Sequence, residues 1–245
     1  MADHAKTSSK DAEEGGAGAG ESRTARPELR WPVVVGVLIA LALYTFLPSG
    51  LFAAQRYVVV AIGLLLLIPL VAINPHHYVK ETRLSRLGEL GLALVIVAAN
   101  QLTLVLLIMQ LVQKSTEGSG LLLAALQVWV TNVIGFALVF WCIDRAGPVA
   151  RTMVPRAEMP AADFRFPQDE DEDTVVEVAK GSSAKSDWVP AFVDYLYVSL
   201  SNSMAFSATD TMPLSTRAKA LMALESFAGF VLLAVVIAQA VSQIG

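Results

Sequence analysis

The chain has 245 residues, of which 55% are hydrophobic and only 16% charged, and its mean hydropathy is +0.56. Soluble domains are about a quarter charged, so this balance excludes an ordinary soluble globule and makes the lipid bilayer the first partner. Much of the acid behind the net charge of -4 sits in one loop, and no basic stripe with interleaved aromatics occurs, so no nucleic-acid partner is expected.

Residues 1–30 are rich in Ala, Gly, Ser and charge, and they predict a disordered cytoplasmic tail. The run GGAGAG at 15–20 follows no strand and opens no helix, so it is not a phosphate loop. The first apolar run begins near residue 31, too late for a secretory signal, and the chain is expected to keep it. Four apolar spans follow at about 31–47, 57–73, 87–112 and 121–143. The first, closed by Pro48-Ser49-Gly50, is at the short end of the roughly 17–25 residues a bilayer core demands. Trp31 stands where an interfacial aromatic would. Short turns between spans make neighbours antiparallel.

Charge sets the expected orientation. Arg23, Arg26, Arg30, Lys80, Arg83, Arg86, Arg145, Arg151 and Arg156 fall on one side of the spans, against Arg56, Lys114, Arg217 and Lys219 on the other. The positive-inside rule then places the N-terminus in the cytoplasm. Residues 144–187 form an acidic cytoplasmic loop with Asp169, Glu170, Asp171, Glu172 and Asp173 in a row. A calcium loop starting at Asp169 would need Gly and Glu where Thr174 and Lys180 stand, so a solvated, disordered linker is expected.

Residues 188–245 form a hairpin: a hydroxyl-rich segment at 190–207, a polar turn around Asp210, and a long apolar helix from Arg217. Eighteen residues at 190–207 rise about 27 Å as a helix, so a full fifth crossing is expected, with an external Asp210 turn and a cytoplasmic C-terminus. The alternative is a re-entrant loop. Tyr197-Val198-Ser199, then Asp210-Thr211-Met212-Pro213, then Arg217 to Glu225 and Gly229, resemble the pore and inner-helix module of two-helix potassium channels. The filter departs: 202–209 reads NSMAFSAT, with Ser207 and Thr209 at both glycine positions. Stacked filter carbonyls need backbone angles that a Cβ obstructs, so the resemblance implies a degenerate, weakly selective filter. The whole chain, with Asp144-Arg145-Ala146-Gly147-Pro148 before its acidic loop, also resembles bacterial integral membrane proteins with a domain of unknown function. That implies a multi-pass protein of the cytoplasmic (inner) membrane.

The residues that could carry chemistry are few. Glu225 lies about two turns inside the last span, where ionisable groups are costly and functional by default. At helical spacing it shares a face with Gly229, Leu232, Val236, Gln239 and Gln243, while Ala234, Ala238 and Ser242 give the opposite face a small-residue packing stripe. Ser199, Asn202, Ser203 and Phe206 share a face of the preceding segment. Asn100, Gln101, Thr103, Gln110, Gln127, Thr131 and Asn132 add polar groups at membrane depth. These polar residues either bond between helices or line a conduit. Glu225 itself either faces that conduit or sits protonated or paired with Lys219 or Arg217. Asp194 is placed to balance a helix N-terminus or to pair with Arg145. His76 and His77 lack metal-ligating partners, and lone Cys142 is expected to be buried and inert. No metal, cofactor or catalytic arrangement is legible, so no enzyme is expected.

The sequence therefore predicts an all-α polytopic bundle of about six spans. The leading functional expectation is a channel-like membrane protein, assembling as a homo-oligomer and passing a monovalent cation, with Ser199, Asn202, Ser203, Asp210, Glu225 and Gln239 as its polar face. The competing expectation is a non-transporting structural or regulatory protein whose acidic loop and tail bind a cytoplasmic partner.

Overall fold

A computed structural model describes residues 26–46, 53–79, 82–113, 118–170, 173–204 and 210–244. Residues 1–25, Pro48-Ser49-Gly50, Lys80, Lys114, Asp171, Glu172 and 205–209 lie outside the described residues, as do the side chains of Ser242 and Gln243. The architecture is the expected all-α bundle.

Five long helices build it: α1 (Trp31–Thr45), α2 (Ala53–Ile73), α3 (Arg83–Gln113), α4 (Gly118–Ile143) and, at the end of the chain, a helix over Thr216–Ile244. Four of these are long and apolar enough to cross a membrane; α1, at 15 residues, is the shorter exception. Leu65, Ile68, Phe227, Phe230 and Val241 are more than 60% exposed. Such all-round apolarity suits a hydrocarbon surround. The centre is α4, which packs on α1, α3 and the last helix and holds the buried Phe136, Phe140 and Trp141.

At the end of α4 the chain turns sharply. Arg145 and Ala146 take left-handed angles, and Gly147 has φ 98° and ψ 177°, a region that only glycine adopts without strain. Pro148 then opens α5 (Pro148–Met153), with its missing N–H at a position that needs no partner. Strand β1 (Phe164–Arg165) and the short helices α6 (Val176–Ala179) and α7 (Ser183–Ser186) follow, then α8 (Phe192–Ser203), strand β2 (Met212–Pro213) and α9 (Thr216–Ile244).

Two expectations need correction here. The loop at 144–187 is not a disordered linker among its described residues: it folds as a cap over one end of the bundle. Phe164 and Phe166 are buried in it, and the rings of Phe140, Phe164, Tyr195, Phe166 and Trp188 meet in succession at 5.1–6.2 Å. Its apolar residues lie outside the acidic run, which is why composition around that run hides the fold. Nor is the whole of 1–30 a tail. Glu28 and Arg30 are tied down: Arg30 is 2% exposed, its N–H donates to the His76 carbonyl at 3.0 Å, and Tyr78 N–H donates to Glu28 O at 3.0 Å.

The fifth crossing is the third correction. Twelve residues of α8 span only about 18 Å, well short of a bilayer core of roughly 30 Å. Both ends of the hairpin arm lie at the cap end. Phe192 N–H meets Glu28 there, and β2 pairs antiparallel with β1 through Phe164–Pro213 and Arg165–Met212. The tip of α8 rests against Gly229, about 20 Å along α9 from Thr216. The arm is therefore re-entrant, entering and leaving at one end. Five helices traverse the bundle and α8 stops halfway.

Candidate functional site

Two polar clusters hold the re-entrant arm, one at the mouth of α8 and one at its tip.

The mouth is built around three buried carboxylates. Asp144 is fully buried; its Oδ1 accepts from the N–H groups of Asp163 (2.7 Å) and Phe164 (3.2 Å), and its Oδ2 accepts from Tyr195 Oη (2.5 Å) and Arg145 (3.2 Å). Asp163, 1% exposed, grips the start of α9: Arg217 donates to both its oxygens at 2.7 and 2.5 Å, and Ser215 Oγ bonds to it as well. Glu28 accepts from Trp141 Nε1 (3.0 Å), from Arg151 (3.3 Å) and from the free Phe192 N–H (2.7 Å). An anion at a helix N-terminus satisfies an orphan donor and the positive end of the dipole together. Arg151, fully buried, also donates to the Trp141 carbonyl at 2.8 Å and lies over the Tyr195 ring at 5.0 Å. Burial alone would lower this guanidinium, but Tyr195, Glu28 and Asp144 around it outweigh that and hold it above its ordinary value. Arg151 is charged, and Glu28 is its counter-ion.

Asp194 has the first of its two expected roles. It accepts the Ala191 N–H at 2.8 Å at the start of α8, while Arg145 pairs with Asp144 and Asp169 instead. Burial pushes the Asp194 carboxyl up from its usual range, partly offset by that backbone bond.

The tip gathers the expected hydroxyl and amide face around Glu225, which is fully buried. Ser199 Oγ bonds a Glu225 carboxyl oxygen and sits 2.7 Å from the Val133 carbonyl oxygen of α4. A hydroxyl has one proton to give. Both contacts are hydrogen bonds only when Glu225 is protonated and donates to Ser199, which donates onward to Val133. Asn202 spends both amide protons, on the other Glu225 oxygen (2.7 Å) and on the Met222 carbonyl (2.9 Å). Ser226 Oγ closes the ring on Asn202, within 3.0 Å of its carbonyl oxygen and 2.9 Å of its Oδ1. Neither Lys219 nor Arg217 serves Glu225; Arg217 is held by Asp163.

Of the expected polar face, Ser199, Asn202 and Glu225 come together. Ser203 lies beside them, but its hydroxyl donates back to Leu200 O at 2.9 Å. Asp210 is exposed at the cap end, and Gln239 lies half-buried about 21 Å farther along α9, so neither joins the cluster. The face of α9 bearing Glu225, Gly229 and Leu232 is the packed one, and Ala234 and Ala238 are exposed, the reverse of the expected division. The close approach is made at Gly229, where a Cβ would lie 2.1 Å from the Ser203 carbonyl oxygen. On α3 and α4, Asn100 Nδ2 and Gln101 Nε2 both donate to Asn132 Oδ1, at 2.9 and 3.0 Å, so these amides bond between helices. Cys142 is free and buried, and among the described residues no group of ligands is placed to hold a metal.

Sequence reasoning missed the mouth cluster. Glu28 stands in a low-complexity stretch with no helical period to mark it, and Asp163 in a loop. Asp144 and Arg151 flank the Gly147-Pro148 turn, the one signal that pointed there. Set against known proteins, the chain matches no family model, no curated protein and no solved structure.

Proposed function

We propose that this chain is a multi-pass protein of the cytoplasmic membrane whose re-entrant hairpin is a closed, self-bonded unit with a structural or regulatory role. One observation carries this reading. The Ser199, Asn202, Ser203 and Glu225 groups bond to one another and to the carbonyls of Val133, Met222 and Leu200, leaving none free to line a conduit. In this reading the cap faces the cytoplasm. Arg26, Arg30, Arg83, Arg86, Arg145, Arg151, Arg156, Arg165, Lys180 and Lys185 lie at that end, and among the described residues Arg56 lies at the other, the bias the positive-inside rule describes. The cap docks a partner through exposed Val175, Val176 and Val178, beside the exposed acids Asp173 and Glu177. That patch fits an amphipathic basic segment. Purified protein in liposomes is expected to pass sodium and potassium no faster than empty liposomes, with folding verified by circular dichroism; flux above that baseline overturns the reading.

A second reading has its own observation. A half-length helix that stops at mid-depth against a long inner helix is the arrangement that the resemblance to potassium channels implies. Under it, copies of the chain assemble around the hairpin and pass monovalent cations with little selectivity. Flux that disappears on Gly229→Ala would favour it over the first.

A further inference from the structure

The half-length of α8 leaves a space that no other described element fills. Below its tip, α4 and α9 continue toward the far end of the bundle with a cavity of about 550 Å³ between them. The cavity is lined by Leu122, Ala125 and Trp129 of α4, by Ser203 and Met204 at the tip of α8, and by α9 from Gly229 to Val236. The polar side-chain groups among the lining residues are the Ser203 hydroxyl, already bonded to Leu200 O, and the indole N–H of Trp129. With the hydroxyl's proton spent, such a wall is a poor host for water, which typically makes about three hydrogen bonds when buried.

Leu126, Phe230 and Leu233 also line the cavity, and each is more than half exposed, so it opens sideways onto the outer surface of α4 and α9. Both helices are apolar enough to cross a membrane, and the opening lies within both candidate spans, so on the membrane reading proposed above its surroundings are hydrocarbon. Size decides between candidate occupants. From Gly229 to Val236 the cavity follows α9 for about 10 Å, and a helix with side chains is about 10–12 Å across. A helix from a second copy would need more room over that length than the cavity has. A single hydrocarbon chain is thin enough, and the volume is that of an ordinary ligand pocket.

We propose that this cavity is a binding site for one acyl chain of a membrane phospholipid, inserted sideways beneath the tip of the re-entrant helix. The chain fills the space beyond the tip of α8 and completes the packing of α4 against α9. Trp129 in the wall gives a direct readout.

The full-length protein in detergent would be titrated with a phospholipid brominated at mid-chain, a short-range quencher of tryptophan. The Trp129 signal is the difference between wild type and Trp129→Phe. It is expected to lose most of its intensity and to saturate near one lipid per chain. Ala125→Phe and Leu122→Phe, which fill the cavity, are expected to abolish that saturable loss while keeping wild-type helical content; two variants are used so that one folding failure does not decide the result. A loss that never saturates, or one unchanged in both filled variants, would mean only surrounding lipid is sensed and would overturn the proposal. An unquenched Trp129 would overturn it too, whether the chain runs as a monomer or as a dimer covering the cavity.

Discussion

At the residue scale, the protein treats Glu225 and Glu28 in opposite ways. Glu225 is placed to be a proton donor inside the bundle, and a glutamine of the same shape can donate to Ser199 and accept from Asn202 in its place. Glu225→Gln is therefore expected to keep the wild-type unfolding midpoint. Glu225→Ala leaves Ser199 and Asn202 short of partners in a low-dielectric setting and is expected to cost about 2–3 kcal/mol; thermal unfolding in detergent checks both. Equal losses in the two variants would refute the protonated arrangement. Glu28 is needed as an anion, because fully buried Arg151 and the Phe192 N–H both lean on it. Glu28→Ala strands a buried charge and is expected to cost about 3–5 kcal/mol, measured the same way. A near-neutral result would show that the 26–30 segment does not hold the cap.

At the scale of elements, the hairpin depends on one close approach and one reversal of direction. Gly229 lets the Ser203 carbonyl touch the backbone of α9, so Gly229→Ala must move backbone rather than a side chain and is expected to destabilise by about 1–3 kcal/mol. Gly91→Ala in α3 is the matched control. A Cβ there meets nothing within 4 Å, and helix propensity alone predicts a neutral or slightly favourable change. The reversal can be tested with single cysteines in a Cys142-free background at exposed Ala184 in α7 and exposed Leu214 just after β2. Both are expected to react with an impermeant thiol reagent from the same side of sealed vesicles. Reaction from opposite sides would restore a full crossing of the membrane at 190–207.

At the scale of the whole molecule, the long apolar helices were legible because length and hydropathy alone mark them. Observed α2, α3 and α4 lie within a few residues of the expected 57–73, 87–112 and 121–143. The meeting of Glu225 with Ser199 and Asn202 was half legible: helical period put each on the right face, but not facing the other. The depth reached by α8 was not legible, since eighteen hydroxyl-rich residues are long enough to cross if all are helical. What stops α8 at Ser203 and returns the chain to the cap is the pairing of β2 with β1 and the grip of Asp163 on Arg217, contacts across roughly fifty residues that no local pattern displays. The amphipathic cap was hidden for a related reason, because the strand-like alternation of its buried Phe164 and Phe166 is only three residues long.

The position of Glu28 also sets a timetable. Its partners Trp141, Arg151 and Phe192 lie 113, 123 and 164 residues later in the chain. A ribosome adding about 5–20 residues per second needs roughly ten to thirty seconds to deliver the last of them. During that interval α1 to α4 can enter the membrane before the Phe192 N–H that completes the Glu28 site exists. The cap therefore closes only after Phe192 has been made. A nascent chain stalled before Phe192 would present an inserted four-helix bundle with its lid still open, the stage at which quality-control proteases have most to recognise.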